Sequence, residues 1–170
     1  MEEKEYFGES FGPISIMHDG YFALHTDSKY EDAFVRGIHE YSSGNHRIQF
    51  VMEVNELDIF RFFGILSKSK SIPQNEGDLY EAIYGWCTND YIVSPSLKRP
   101  NSENICDLKD KTSLEIDLIL DCDNRVISYI NQETKLTREI NIDTKLCPFP
   151  WQILFYLFGV NDSVGLIPSN

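Results

Sequence analysis

Short runs in which apolar and polar residues alternate with a period of two, broken at close intervals by turn formers, dominate this sequence and leave room for strands and for little else. Ile48, Phe50, Met52 and Val54 alternate with Gln49, Val51 and Glu53, and Leu114, Ile116, Leu118 and Leu120 alternate with Glu115, Asp117 and Ile119. Successive strand side chains point to opposite faces, so each run puts its apolar residues on one face. Ile14–His18 and Tyr21–His25 flank Asp19-Gly20, which supplies the positive φ angles of a tight type I′ turn and predicts a β-hairpin. Phe60–Leu66 follows the 48–54 run after a five-residue break and reads as its adjacent antiparallel partner. Asp121–Asn124 separates the 114–120 run from Arg125–Ile130, a second hairpin, and Leu136–Ile142, Trp151–Phe158 and Val164–Ile167 read as three further strands. No apolar 3.6-residue periodicity persists. At most one short helical turn is expected, at Asp78–Ile83, where Asp78 and Glu81 have capping-box spacing. Ser67–Gly77 and Ser94–Lys111 are polar, long for hairpin connections, and read as loops offering contact surface. The chain as a whole, residues 1–170, reads as one all-β domain in the form of a sandwich or barrel.

Composition narrows what such a domain can do. With 42% hydrophobic and 13% aromatic residues the chain can bury a core without crosslinks. A formal charge of -12 repels phosphate backbones, and Lys and Arg occur in scattered couples, so a nucleic-acid partner is excluded while a basic or neutral peptide is compatible. The start is acidic with no apolar segment after it, and no stretch approaches a membrane span, so a soluble, cytoplasmic protein without membrane contact is expected. Cys87, Cys106, Cys122 and Cys147 form no C-x-x-C pair and are expected as reduced, mostly buried thiols, with no metal and no cofactor. The triplet Asn161-Asp162-Ser163 is read as a chance match to a glycosylation site.

The order of local motifs resembles that of the SPRY domain family, a two-sheet antiparallel β-sandwich of concanavalin-like architecture. Val35-Arg36-Gly37 followed by Ser43-Gly44-Asn45-His46-Arg47-Ile48 and the strand through Val54 is similar to the family's arginine-glycine segment and the strand after it, with Arg47-Ile48 where an aromatic pair is usual. Phe62-Phe63-Gly64-Ile65, Tyr84-Gly85-Trp86, Leu114–Asp121 and Val126–Asn131 match later segments, Gln132 standing where the family has Gly, and Cys147–Trp151 through Gly159 and Val164 resemble the closing strands. The resemblance spans roughly residues 14–168. It implies a non-enzymatic module that binds a peptide or surface epitope of an intracellular protein through loops at one end of the sandwich.

Mapped by motif, the resemblance brings together Arg36 and its neighbours, the loop after Trp86, the 94–111 loop and Leu157-Phe158-Gly159. Tyr84, Trp86, Tyr91, Leu157 and Phe158 would offer apolar and aromatic area, Arg36 and Asn161 directional hydrogen bonds, and Gly159 close backbone approach. Two readings stand side by side for several of these. Tyr84 and Trp86, two apart on a strand, share a face and suit core packing; Arg36 suits a buried structural ion pair equally well. The 151–158 strand is apolar on both faces, which fits either full burial or an exposed patch. His18, His25, His39 and His46 are dispersed. Asp121, Asp123 and Asn124 lack the glycine and distal Glu of a calcium loop and read as a turn. No nucleophile–base pair or nucleotide fingerprint occurs, so no catalysis is expected; Glu115 and Asp117, on one face, are the nearest thing to a glycosidase pair. A lectin-like or small-ligand-binding sandwich is the alternative.

Overall fold

The computed structural model describes residues 4–57, 61–95, 97–100 and 107–168. Two seven-stranded sheets face each other. The first runs β1 (Phe7–Phe11), β4 (Ala33–Gly37), β13 (Trp151–Leu157), β6 (Phe62–Ser67), β7 (Ile83–Cys87), β8 (Tyr91–Ser94) and β9 (Leu97–Pro100). The second runs β12 (Thr137–Asn141), β11 (Val126–Asn131), β10 (Ser113–Asp121), β5 (Asn45–Glu53), β14 (Ser163–Ile167), β3 (Phe22–His25) and β2 (Ile14–Met17). The strand pairings described are antiparallel, so the fold is the expected all-β sandwich.

Period-two alternation does its predicted work in the second sheet. Ile48, Phe50 and Met52 of β5 are buried beside Leu114, Ile116, Leu118 and Leu120 of β10, while Glu53 and Glu115 face water. Across the interface Phe50 meets Phe63 at 5.3 Å and Phe155 at 4.8 Å between ring centroids, and Trp86 stands edge-on to Tyr129 at 4.7 Å. Tilted and edge-on rings fill the space between sheets without voids.

The middle strands of the first sheet, β4, β13, β6 and β7, are buried on both sides, which resolves the doubly apolar 151–158 run. Ile153, Phe155 and Leu157 enter the inter-sheet core; Leu154 and Tyr156 point outward with Phe34, Phe62, Leu66 and Ile83. That outer face is covered by the segment 68–82, which lays Ile72, Leu79 and Ala82 upon it. No sticky strand is left exposed there. Gly64 and Gly85 sit opposite each other on β6 and β7, and a Cβ at either would overlap the Phe62 ring, so this pair lets the ring lie flat on the sheet.

Four local expectations are corrected. The β2–β3 hairpin pairs Met17 with Phe22, so its loop has four residues, and His18 joins Asp19 and Gly20 at positive φ while its ring packs against Phe22. The strand β6 does not pair with β5: both edges of β5 are taken, by β10 and β14, and the intervening chain crosses to the other sheet. Part of the 94–111 stretch is not loop, because β9 pairs with β8. The turn near 78 is a 3-10 turn at Glu76–Tyr80 capped by the Asn75 side chain, which accepts from the Asp78 N–H; Asp78 is inside the turn rather than its cap.

Candidate functional site

At one end of the sandwich the β3–β4 loop (26–32), the described part of the β5–β6 connection (54–57 and Arg61), the β7–β8 loop (88–90) and the β13–β14 loop (158–162) are tied into one body. Its centre is a buried ion pair. Arg61 and Asp162 are 1% and 0% exposed, with Nε donating to Oδ2 at 2.7 Å and Nη2 to Oδ1 at 2.8 Å, a bidentate fork. The same Asp162 Oδ2 accepts the Gly159 N–H at 2.7 Å, and Arg61 Nη1 donates to the Glu56 carbonyl. Thr88 exchanges bonds with the Arg61 backbone, accepting at Oγ1 (2.9 Å) and donating its N–H (2.8 Å). A pair so satisfied suits a role in fixing loop conformation, since its desolvation consumes much of the attraction. Further ties run from Glu31 N to Phe158 O at 3.2 Å, Asn55 Nδ2 to Val160 O at 2.9 Å, and His25 N to Asp162 O at 2.8 Å.

On this frame sits a row of rings that leads out of the core. Phe34 and Tyr156 are fully buried with centroids 4.9 Å apart; Phe158, half-buried, follows at 6.3 Å; and Tyr30, 47% exposed, stacks on Phe158 at 5.8 Å and 18°. Carboxylates hold both phenols: Tyr30 donates to Glu56, and Tyr156 donates to Asp32 at 2.5 Å. The Glu56 hydrogen bond raises the Tyr30 phenol above its ordinary value; burial first, and then Asp32, does the same to Tyr156. Beside them the Asp27 and Glu31 carboxyls interact, which lowers Asp27 and raises Glu31.

The residues singled out from sequence divide into three groups. Phe158, Gly159 and Asn161 belong to this end, and Tyr91 opens β8 at the same end with Lys98 Nζ 4.8 Å from its ring centroid. Gly159 is required from within: a Cβ there would come 2.6 Å from Arg61 Nη2, so its small size serves the ion pair. Trp86 and Leu157 have no exposed surface and belong to the inter-sheet core, while Tyr84, 5% exposed, accepts the Asp143 N–H at its hydroxyl. Arg36 is elsewhere. Its Nη1 donates to Lys70 O at 2.8 Å and Nη2 pairs with Glu9 at 2.5 Å, pinning the 68–82 cover to the first sheet. Sequence reasoning missed Arg61, Asp162, Tyr30 and Glu56. The positive φ of Asn161 and the buried acid inside the Asn161-Asp162-Ser163 triplet mark a structured turn that a glycosylation motif obscures.

Other candidates take structural roles. Asp121 accepts from the Asn124 N–H and side-chain amide, which lowers its pKa, and Asp123 accepts from Gly44 N at 2.9 Å. Asp117, 1% exposed, is occupied by Arg47 and Gln49, whereas Glu115 faces solvent. Cys87, Cys122 and Cys147 are free and buried, and burial pushes them up to about 12, about 11 and about 12; Cys106 lies outside the described residues. Among the described residues no cluster of His, Cys, Asp or Glu could hold a metal ion, and no helix is long and apolar enough to cross a membrane.

The fold is matched in solved structures. The TRIM65 PSpry domain superposes with a TM-score of 0.68 over 97% of this chain and 90% of that one, at 11% identity. The SPRY domain of human HERC1 gives 0.69 over 96% and 98%, at 9% identity. The fold is that of a SPRY domain. Stonustoxin superposes with a TM-score of 0.66 over 96% of this chain and 27% of that one, at 12% identity. By sequence, no family model and no curated protein matches. What this chain shares with the SPRY structures is therefore the fold, carried by patterning rather than by identical residues.

Proposed function

We propose that this chain is a non-catalytic, intracellular protein-interaction module that receives a peptide or surface epitope of another protein at the end of the sandwich built by the loops 26–32, 54–57, 88–90 and 158–162. The observation that carries the reading is the exposed aromatic shelf of Tyr30 and Phe158, held on a rigid frame by the buried Arg61–Asp162 pair. Rigid rings on a preorganised support are what interfaces use as anchors, because little freedom is lost when a partner docks. Tyr91 and Asn161 extend the same surface. Among the residues named from sequence, these two with Phe158 are its accessible members, and Arg36, Trp86 and Leu157 support the fold.

The test is affinity capture from soluble extract of the source cells, comparing the intact chain with Tyr30→Ala/Phe158→Ala after circular dichroism shows both folded. A partner retained by the intact chain and lost by the folded variant is the expected result. Equal retention by both would move the binding surface elsewhere, and saturable binding of free sugars instead would favour the lectin-like alternative.

A further inference from the structure

We infer that the Tyr30–Phe158 shelf recognises a cationic side chain, an arginine or lysine in an extended segment of the partner protein. This rests on the loop-end reading above and specifies its ligand. Three observations carry it. The row of rings ends in a face open to solvent, Tyr30, and the electron-rich face of a phenol attracts a guanidinium or ammonium group. Around it the described loop residues with exposed or half-exposed side chains include Asp27, Glu31, Asp32 and Glu56 against the single base Lys29, so the local field favours cations well beyond the average of the chain. Moreover, Glu56 accepts from the Tyr30 hydroxyl, which fixes that carboxylate beside the exposed ring and lets one cation meet ring and carboxylate together, while the buried Tyr156 hydroxyl holds Asp32. Tyr91, by contrast, is already matched with a cation of its own chain, Lys98, leaving Tyr30 as the shelf for an incoming one.

The experiment selects phage-displayed random heptapeptides on the immobilised intact chain, then measures synthetic versions of the enriched peptides by calorimetry. The binding partners are the intact chain, Tyr30→Ala, Glu31→Gln/Glu56→Gln, and Glu81→Gln as a control outside this surface. Each basic peptide is also made with citrulline or norleucine in place of its Arg or Lys. The expected result is enrichment of Arg or Lys, about tenfold weaker binding on neutralising either the peptide cation or the Glu31 and Glu56 pair, and no change with Glu81→Gln. Enriched peptides that lack basic residues but still lose binding on Tyr30→Ala would overturn the cationic inference while keeping the loop-end site. Basic peptides that bind all variants equally would overturn both, and so would failure to enrich any peptide.

Discussion

Two arginines project from the first sheet region and serve opposite parts of the molecule. Arg61 meets Asp162 where neither side chain reaches water, and every polar atom of the carboxylate is used to hold the 158–162 turn. Arg36 is itself buried, at 7% side-chain exposure, but its Glu9 partner is 55% exposed and its second bond goes to a backbone carbonyl of the 68–82 cover. The difference teaches that burial of the partner, rather than of the arginine, separates a clamp that determines a loop's conformation from a tether that can be weakened without loss of the fold. An exposed carboxylate can be replaced by water; a buried one cannot.

The largest effect should come from breaking the clamp. Asp162→Ala removes the buried carboxylate that faces the Arg61 charge in the interior and is expected to destabilise the chain by about 3–5 kcal/mol in urea denaturation, abolishing peptide capture with it. Should it cost no more than an exposed pair, the comparison collapses. Arg36→Ala should cost less, about 1–3 kcal/mol, because it removes a charge-assisted bond to Lys70 O but strands no buried carboxylate. Its signature should also be local. Cys87 packs in the cluster beneath the cover and Cys147 in the core between the sheets, and in a Cys106→Ser background both stay protonated and shielded near pH 8 because burial pushes them up to about 12. Thiol labelling with mass readout should then show Cys87 reacting faster in Arg36→Ala while Cys147 is unchanged, whereas Asp162→Ala should speed both. Equal acceleration of the two in Arg36→Ala would mean the cover does not open by itself. The smallest effect is expected for Glu9→Gln, less than about 1 kcal/mol by thermal denaturation, since Arg36 keeps its carbonyl and water replaces the carboxylate.

These regions were unequally legible in the sequence. The strands of the second sheet could be read almost residue by residue, because one of its faces is wet and the alternation from Ile48 to Val54 and from Leu114 to Leu120 records that directly. The middle of the first sheet is dry on both sides, so Trp151–Leu157 carries no alternation, and nothing local distinguishes a strand under a cover from a strand bearing a sticky patch. The site was legible in part. Phe158, Gly159 and Asn161, reached through the order of motifs, lie on the turn held by Asp162, and Tyr91 lies at the same end, whereas Arg36, in a recognisable segment, lies elsewhere and Arg61 was missed. The partners of Arg61 and Tyr30 are 101 and 26 positions away in the chain, and no spacing rule reaches that far.

What the sequence by itself determined is the class of fold: period-two patterning and turn residues act over a few neighbouring residues and need no knowledge of the rest of the chain. Beyond the β2–β3 and β10–β11 hairpins, which strands become neighbours was decided only by tertiary structure, as the separation of β5 from β6 into different sheets makes plain. So was the loop surface at the Arg61–Asp162 end, because the ion pair, the cover and the ring row each join segments that meet only once both sheets have closed on their common core.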